Sequence, residues 1–111
     1  GHYTIESCIT DQFEQHLRAV IGLPLGATDL ISPAAMINIL GSPGHSGRPV
    51  INGIAAALAI PGACIHIYGK AATKPFRKMG HVTVLDADIA IARSKAERVR
   101  ELLEITGEDH P

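Results

Sequence analysis

"IHIYGKAATKPFRKMGHVTVLD", residues 65–86, is the stretch on which the fold turns. Its two ends mix apolar and polar residues in period two and are rich in Ile, Val, Tyr and Thr. They predict one strand through "CIHIYG" and another through "HVTVLD". The connection between them carries Lys70, Lys74, Arg77 and Lys78, with Gly69 and Gly80 at its margins. Gathering four cations into one hairpin-like turn costs roughly 1 kcal/mol of repulsion per close pair at the surface. An anion relieves that cost. Phosphate suits the set, because Arg grips two oxygens at once and Lys supplies a mobile point charge. Glycine lets backbone approach a ligand. His81, at the start of the second strand, stands where it can hydrogen-bond the same ligand. The competing reading is a solvated turn whose long basic side chains lie over neighbouring apolar surface. Spacing alone leaves both open.

Working outward, "HYTIESCI" reads as a short strand or an extended approach to a helix. "TDQFEQHLRAVIGLPLG" carries a helix signature: Asp11 can cap, Glu14 follows three residues later, and Phe13, Leu17, Val20 and Ile21 share a face. Gly22 and Pro24 end it. "SPAAMINILG" predicts a strand buried on both faces, "SPGHSGRP" a loop, and "VINGIAAALAIPGA" a short buried helix. From Asp86 onward Ile89, Ala92, Ala96, Val99 and Leu103 recur at steps of three and four, which predicts an amphipathic C-terminal helix. The acidic residues Glu101, Glu104, Glu108 and Asp109 fall on or after it and read as solvated. Helices packed on a small sheet, an α/β (α+β) unit, follow from this order.

A chain of 111 residues has room for one small domain. A net charge of -1 excludes a general electrostatic pull on nucleic acid or membrane, so anion binding must be local. The apolar run "IAAALAI" is far short of the roughly 20 residues that span a bilayer. Cys8 and Cys64, in apolar surroundings and without a CxxC pair, read as buried free thiols. His2, His16, His45, His66, His81 and His110 show no HxxxH or HExxH spacing. "GSPGHSG" lacks the Lys-Ser/Thr ending of a phosphate-binding P-loop, and no GxSxG or activated cysteine points to a nucleophile. Bottom-up, the chain has one plausible anion site and no complete catalytic apparatus.

Three blocks, "GHYTIESCITDQFEQHLRAVIGLPLG", "SPAAMINILG" and "IHIYGKAATKPFRKMGHVTVL", resemble successive blocks of the 5-(carboxyamino)imidazole ribonucleotide synthases, ATP-grasp ligases of purine biosynthesis. The family form of the third block reads YGK, a short basic linker, then RKMGH. Tyr68, Gly69, Lys70, Arg77, Lys78, Met79, Gly80 and His81 match it. Lys74 stands where the family has Arg, and Phe76 where it has Gly.

The resemblance implies a reaction in which ATP phosphorylates bicarbonate and the resulting carboxyphosphate carboxylates the exocyclic amine of aminoimidazole ribonucleotide, with Mg2+ neutralising the phosphates. It implies that residues 1–30 are the tail end of the ATP-grasp domain with a helix, and residues 31–111 the small C-terminal domain. The ATP and Mg2+ ligands would lie upstream of Gly1, leaving no cofactor or metal ligand on this chain, which would be a fragment inactive alone. Lys70, Arg77, Lys78 and His81 would hold the substrate phosphate or the carboxyphosphate, and His2 would be the catalytic candidate at the active-site edge. The implied partners are aminoimidazole ribonucleotide, bicarbonate, ATP, the remaining ATP-grasp domains and a second copy in a homodimer, in the cytoplasm, with neither nucleic acid nor membrane. The alternatives are a non-catalytic phosphate-binding module and a structural or dimerisation fragment.

Overall fold

The second strand of the opening stretch, Lys78–Leu85, forms the centre of the structure. The computed structural model describes residues 1–109. His110 and Pro111 lie outside the described residues. In chain order the elements are α1 (Thr4–Ser7), α2 (Gln12–Val20), β1 (Ala34–Leu40), β2 (Ser46–Asn52), α3 (Ile54–Leu58), β3 (Ala63–Ile67), β4 (Lys78–Leu85), α4 (Ile89–Leu102) and β5 (Glu104–Asp109). One sheet runs in the order β1-β4-β3, all antiparallel, and a second pairs β2 with β5. A parallel bridge between Gly41 and Ile105 joins them. The α+β class expected from the sequence is the observed one.

Period-two alternation explains the three-stranded sheet. In register, Val82 stands between Ile37 and Ile65, and Val84 between Ala35 and Ala63. Those residues meet Ala92, Ala96, Val99 and Leu103 from α4 and form the core. Each fully buried Val or Ile contributes about 1.5–3 kcal/mol. The α4 periodicity is as the sequence predicts, and its start is fixed by Asp88, whose carboxylate accepts from the Ala90 and Ile91 amides. Asp86, held below its ordinary range first by the Asp88 amide and then by Lys95, ties the strand end to the helix.

Several expectations are corrected. "HYTIESCI" contains α1, a helical turn in which Thr4 and Ser7 hydroxyls donate back to the Gly1 and Tyr3 carbonyls. β1 is buried on one face only: Ile37 and Ile39 are buried, whereas Met36, Asn38 and Leu40 are exposed. β4 is the strand buried on both faces, with Val82 and Val84 against α4 and His81 and Thr83 on the other side. The tail of "SPGHSGRP" forms β2, and Pro49 is tolerated because an edge strand can lack that donor. α3 begins only at Ile54 and buries only Ala57. The segment after α4 forms β5, a strand the sequence does not predict, while Glu101, Glu104, Glu108 and Asp109 are exposed as expected.

α2 is capped as predicted, with the Asp11 carboxylate accepting from the Glu14 amide. Its apolar row nevertheless faces outward: Phe13, Leu17, Val20 and Ile21 are all exposed, followed by Leu23 and Leu25. The radius of gyration is 15.9 Å, above the roughly 13 Å of a compact domain of this length.

Candidate functional site

The basic turn is pinned, not floating. The Thr73 amide donates to the Gly47 carbonyl at 2.7 Å, the Phe76 amide to Gly41 at 2.8 Å, and the Gly41 amide to Arg77 at 2.8 Å. Gly41 is required by this approach, since a Cβ there would meet the Lys74 carbonyl at 2.2 Å. Two of the cations close the turn themselves. Lys70 Nζ donates to the Lys78 carbonyl at 2.6 Å, and Arg77 Nη1 to the Ala72 carbonyl at 2.9 Å. Both are half-buried, with donors left over for a ligand.

Lys70 lines a cavity of about 250 Å³ with Arg48, Gly69, Ala71, Ile67 and Met79. Arg48 was not a candidate from the sequence, because "SPGHSGRP" reads as loop. Its place in β2, which pairs with the turn through Gly47 and Thr73, brings it there. Lys78 goes elsewhere. It lines a larger groove of about 720 Å³ with Phe76, Arg100, Glu101 and Glu104, whose carboxylates disfavour an anion. The four cations therefore do not converge: Lys70 and Arg77 tie the turn, Lys78 faces the other groove, and Lys74 is exposed.

A second cluster lies on the β4 face away from α4. Sheet register sets His66 of β3 opposite His81 of β4, and their rings stack at 4.5 Å with 14° between planes. His66 Nε2 is paired with the Glu6 carboxylate of α1. The Tyr68 hydroxyl and His81 Nδ1 lie 2.9 Å apart. His2, half-buried, sits 4.7 Å from the His81 ring and 5.3 Å from Phe13. His81 is 1% exposed and its Nε2 has no partner among the described residues. Burial first, then His66 and His2, push its pKa down against the opposing pull of Glu6. Burial raises the Tyr68 hydroxyl, and burial together with Glu6 raises the Cys64 thiol. Cys8 and Cys64 are free and half-buried. Among the described residues no group of three or more His, Cys, Asp or Glu could hold a metal ion, and no helix is long and apolar enough to cross a membrane.

Phe76 is the one non-glycine residue with positive φ, 64°, among the described residues, and it is 67% exposed. That conformation costs a residue bearing a Cβ about 1–2 kcal/mol. The Phe76→Gly variant is therefore expected to be more stable by up to ~1 kcal/mol after the greater freedom of its unfolded chain is subtracted. Urea midpoints check this; a loss of stability would show that ring packing outweighs the backbone term.

Comparison with known proteins places this geometry. Residues 34–95 match the family described as phosphoribosylaminoimidazole carboxylase C-terminal domain. The N5-carboxyaminoimidazole ribonucleotide synthase of Synechococcus elongatus is 46% identical over 105 residues, 93% of this chain and 26% of that protein. The crystal structure of the Thermotoga maritima synthetase superposes with a TM-score of 0.95 at 53% identity, over 97% of this chain and 30% of its own. The Aspergillus clavatus synthase, solved with ADP and 5-aminoimidazole ribonucleotide, is 38% identical with a TM-score of 0.75, over 91% of this chain and 27% of its own. The chain spans between about a sixth and a quarter of the length of the curated relatives it matches. On its sequence and its fold alike, the chain belongs to the phosphoribosylaminoimidazole carboxylase C-terminal domain family.

Proposed function

We propose that this chain is the C-terminal part of an ATP-dependent ligase that converts aminoimidazole ribonucleotide and bicarbonate to 5-(carboxyamino)imidazole ribonucleotide. In that reaction a bicarbonate oxygen attacks the γ-phosphorus of ATP and ADP leaves. The exocyclic amine then attacks the carboxyphosphate carbon, phosphate departs and a proton is released. ATP and Mg2+ would be held by the remaining ATP-grasp domains; nothing is asked of a metal on this chain. Lys70, joined by Arg48, holds the 5'-phosphate of the ribonucleotide, and Arg77 ties the turn that carries Lys70. Lys78, facing the acidic groove, contributes at most its backbone carbonyl. His2 faces the reacting groups from the edge of the histidine cluster.

The observation that carries this reading is the backbone-pinned turn that sets Lys70 and Arg48 around one cavity. Supporting it, the exposed row of Phe13, Leu17, Val20 and Ile21 offers a dry seat for the ATP-grasp region, to whose end residues 1–30 belong, with 31–111 as the small domain. A homodimer in the cytoplasm completes the reading.

Titrating the 111-residue chain with aminoimidazole ribonucleotide while following its amide NMR signals tests the phosphate assignment. Saturable shifts should appear at Gly69, Lys70, Ala71 and Arg77, and the nucleoside lacking the phosphate should leave them in place. Equal shifts from both ligands would overturn the assignment. Shifts at the turn without turnover after the ATP-grasp region is supplied would favour the non-catalytic phosphate-binding module.

A further inference from the structure

Lys70 is held from two sides. Its ammonium donates to the Lys78 carbonyl at 2.6 Å and lies 5.8 Å from the centre of the Tyr68 ring, within range of a cation–π attraction. The Tyr68 ring is in turn oriented by its hydroxyl, 2.9 Å from Nδ1 of a His81 that is 1% exposed. His81 cannot drift, because His66 stacks on it at 4.5 Å and Glu6 holds His66. A contiguous line of contacts thus runs from α1 through the sheet face to the turn.

We infer that Tyr68 and His81 are positioning residues for Lys70: the buried imidazole accepts the Tyr68 hydroxyl, and the ring so fixed holds the lysine ammonium at the phosphate cavity. The inference rests on the phosphate reading of the turn and deepens it. It assigns His81 an indirect role, in keeping with a burial that leaves almost none of its surface to a ligand. With Nδ1 accepting, the ring proton sits on Nε2, and a neutral imidazole is the form that burial favours. A lysine is a mobile point charge on a flexible stem, so fixing it before the ligand arrives lowers the entropy lost on binding.

The test measures binding of ribose 5-phosphate to the full chain by NMR titration, with thermal melts confirming that each variant folds. Tyr68→Phe keeps the ring and removes the hydroxyl. It should weaken binding about three- to tenfold, the scale of one lost hydrogen bond, and should move the His81 Nδ1 resonance away from the position of a hydrogen-bonded acceptor. His81→Gln, which keeps an acceptor, should bind within about twofold of the parent, whereas His81→Leu should match Tyr68→Phe and add nothing to it in the double variant. Lys70→Ala separates the two layers of argument. If it leaves ribose 5-phosphate binding unchanged, the phosphate reading itself fails. If it weakens binding while Tyr68→Phe does not, the phosphate reading stands and the positioning role is overturned.

Discussion

Lys70→Ala, in this chain assembled with its ATP-grasp region, is expected to raise the KM for aminoimidazole ribonucleotide about 10- to 150-fold. A hydrogen bond between a charged donor and phosphate is worth about 1.5–3 kcal/mol, and Lys70 is half-buried, so solvent screens it only in part. On the proposed function the contact is to the 5'-phosphate, remote from the amine that reacts, so ground state and transition state would lose it alike. The effect should therefore fall on KM with kcat nearly unchanged. Lys70→Arg should recover part of the loss, since it keeps the charge but changes the reach. The variant also loses the bond to the Lys78 carbonyl, and a melt in parallel with the kinetics accounts for that. Kinetics unchanged by Lys70→Ala would remove the lysine from the site, and a kcat loss at constant KM would move it to the chemical step.

Ile105→Ala is expected to cost about 2–5 kcal/mol, the range for truncating a buried Ile. Ile105 is 1% exposed, pairs with Ile51, bridges to Gly41 and lines, with Met79, the cavity that holds Lys70. For a domain with a total of about 5–15 kcal/mol, that loss should lower the melting midpoint by roughly 10 °C or more. Leu25→Ala, at a residue 67% exposed, should stay within about 0.5 kcal/mol in the isolated chain. Near-equal melts for the two variants would contradict the placement of β5 in the core.

The contrast between these residues shows what the sequence makes legible. Periodicity exposes whatever buries one face by itself: α4 is plain from Ala92, Ala96 and Val99, and β3 and β4 are plain from their alternation. β2 and β5 are hidden for the opposite reason. "SGRPVIN" contains Gly and Pro, "EITGED" offers a single large apolar residue, and each becomes a strand only because the other lies beside it. The same long-range dependence governs the site. Lys70 and Arg77 stand out as charge in a turn, but the register shift where Leu40 pairs with Lys78 turns that lysine toward the other groove. Composition has no means of reporting a bulge. Glu6 escaped notice because its segment reads as extended, and without it the histidines look isolated.

The pairing of β2 with β5 also sets the order in which the molecule can assemble. Asn52 and Thr106, bonded through their side chains, are 54 positions apart, and β5 follows every other described element in chain order. On a ribosome β2 therefore waits with an open edge while α3, β3, β4 and α4 are synthesised, and its closure is a long-range, slow step. Until then the floor of the Lys70 cavity, to which Ile51 and Ile105 both contribute, does not exist. The cavity beside Lys70 thus cannot form before β5 is made, and a growing chain carries its charged turn before the walls around it exist.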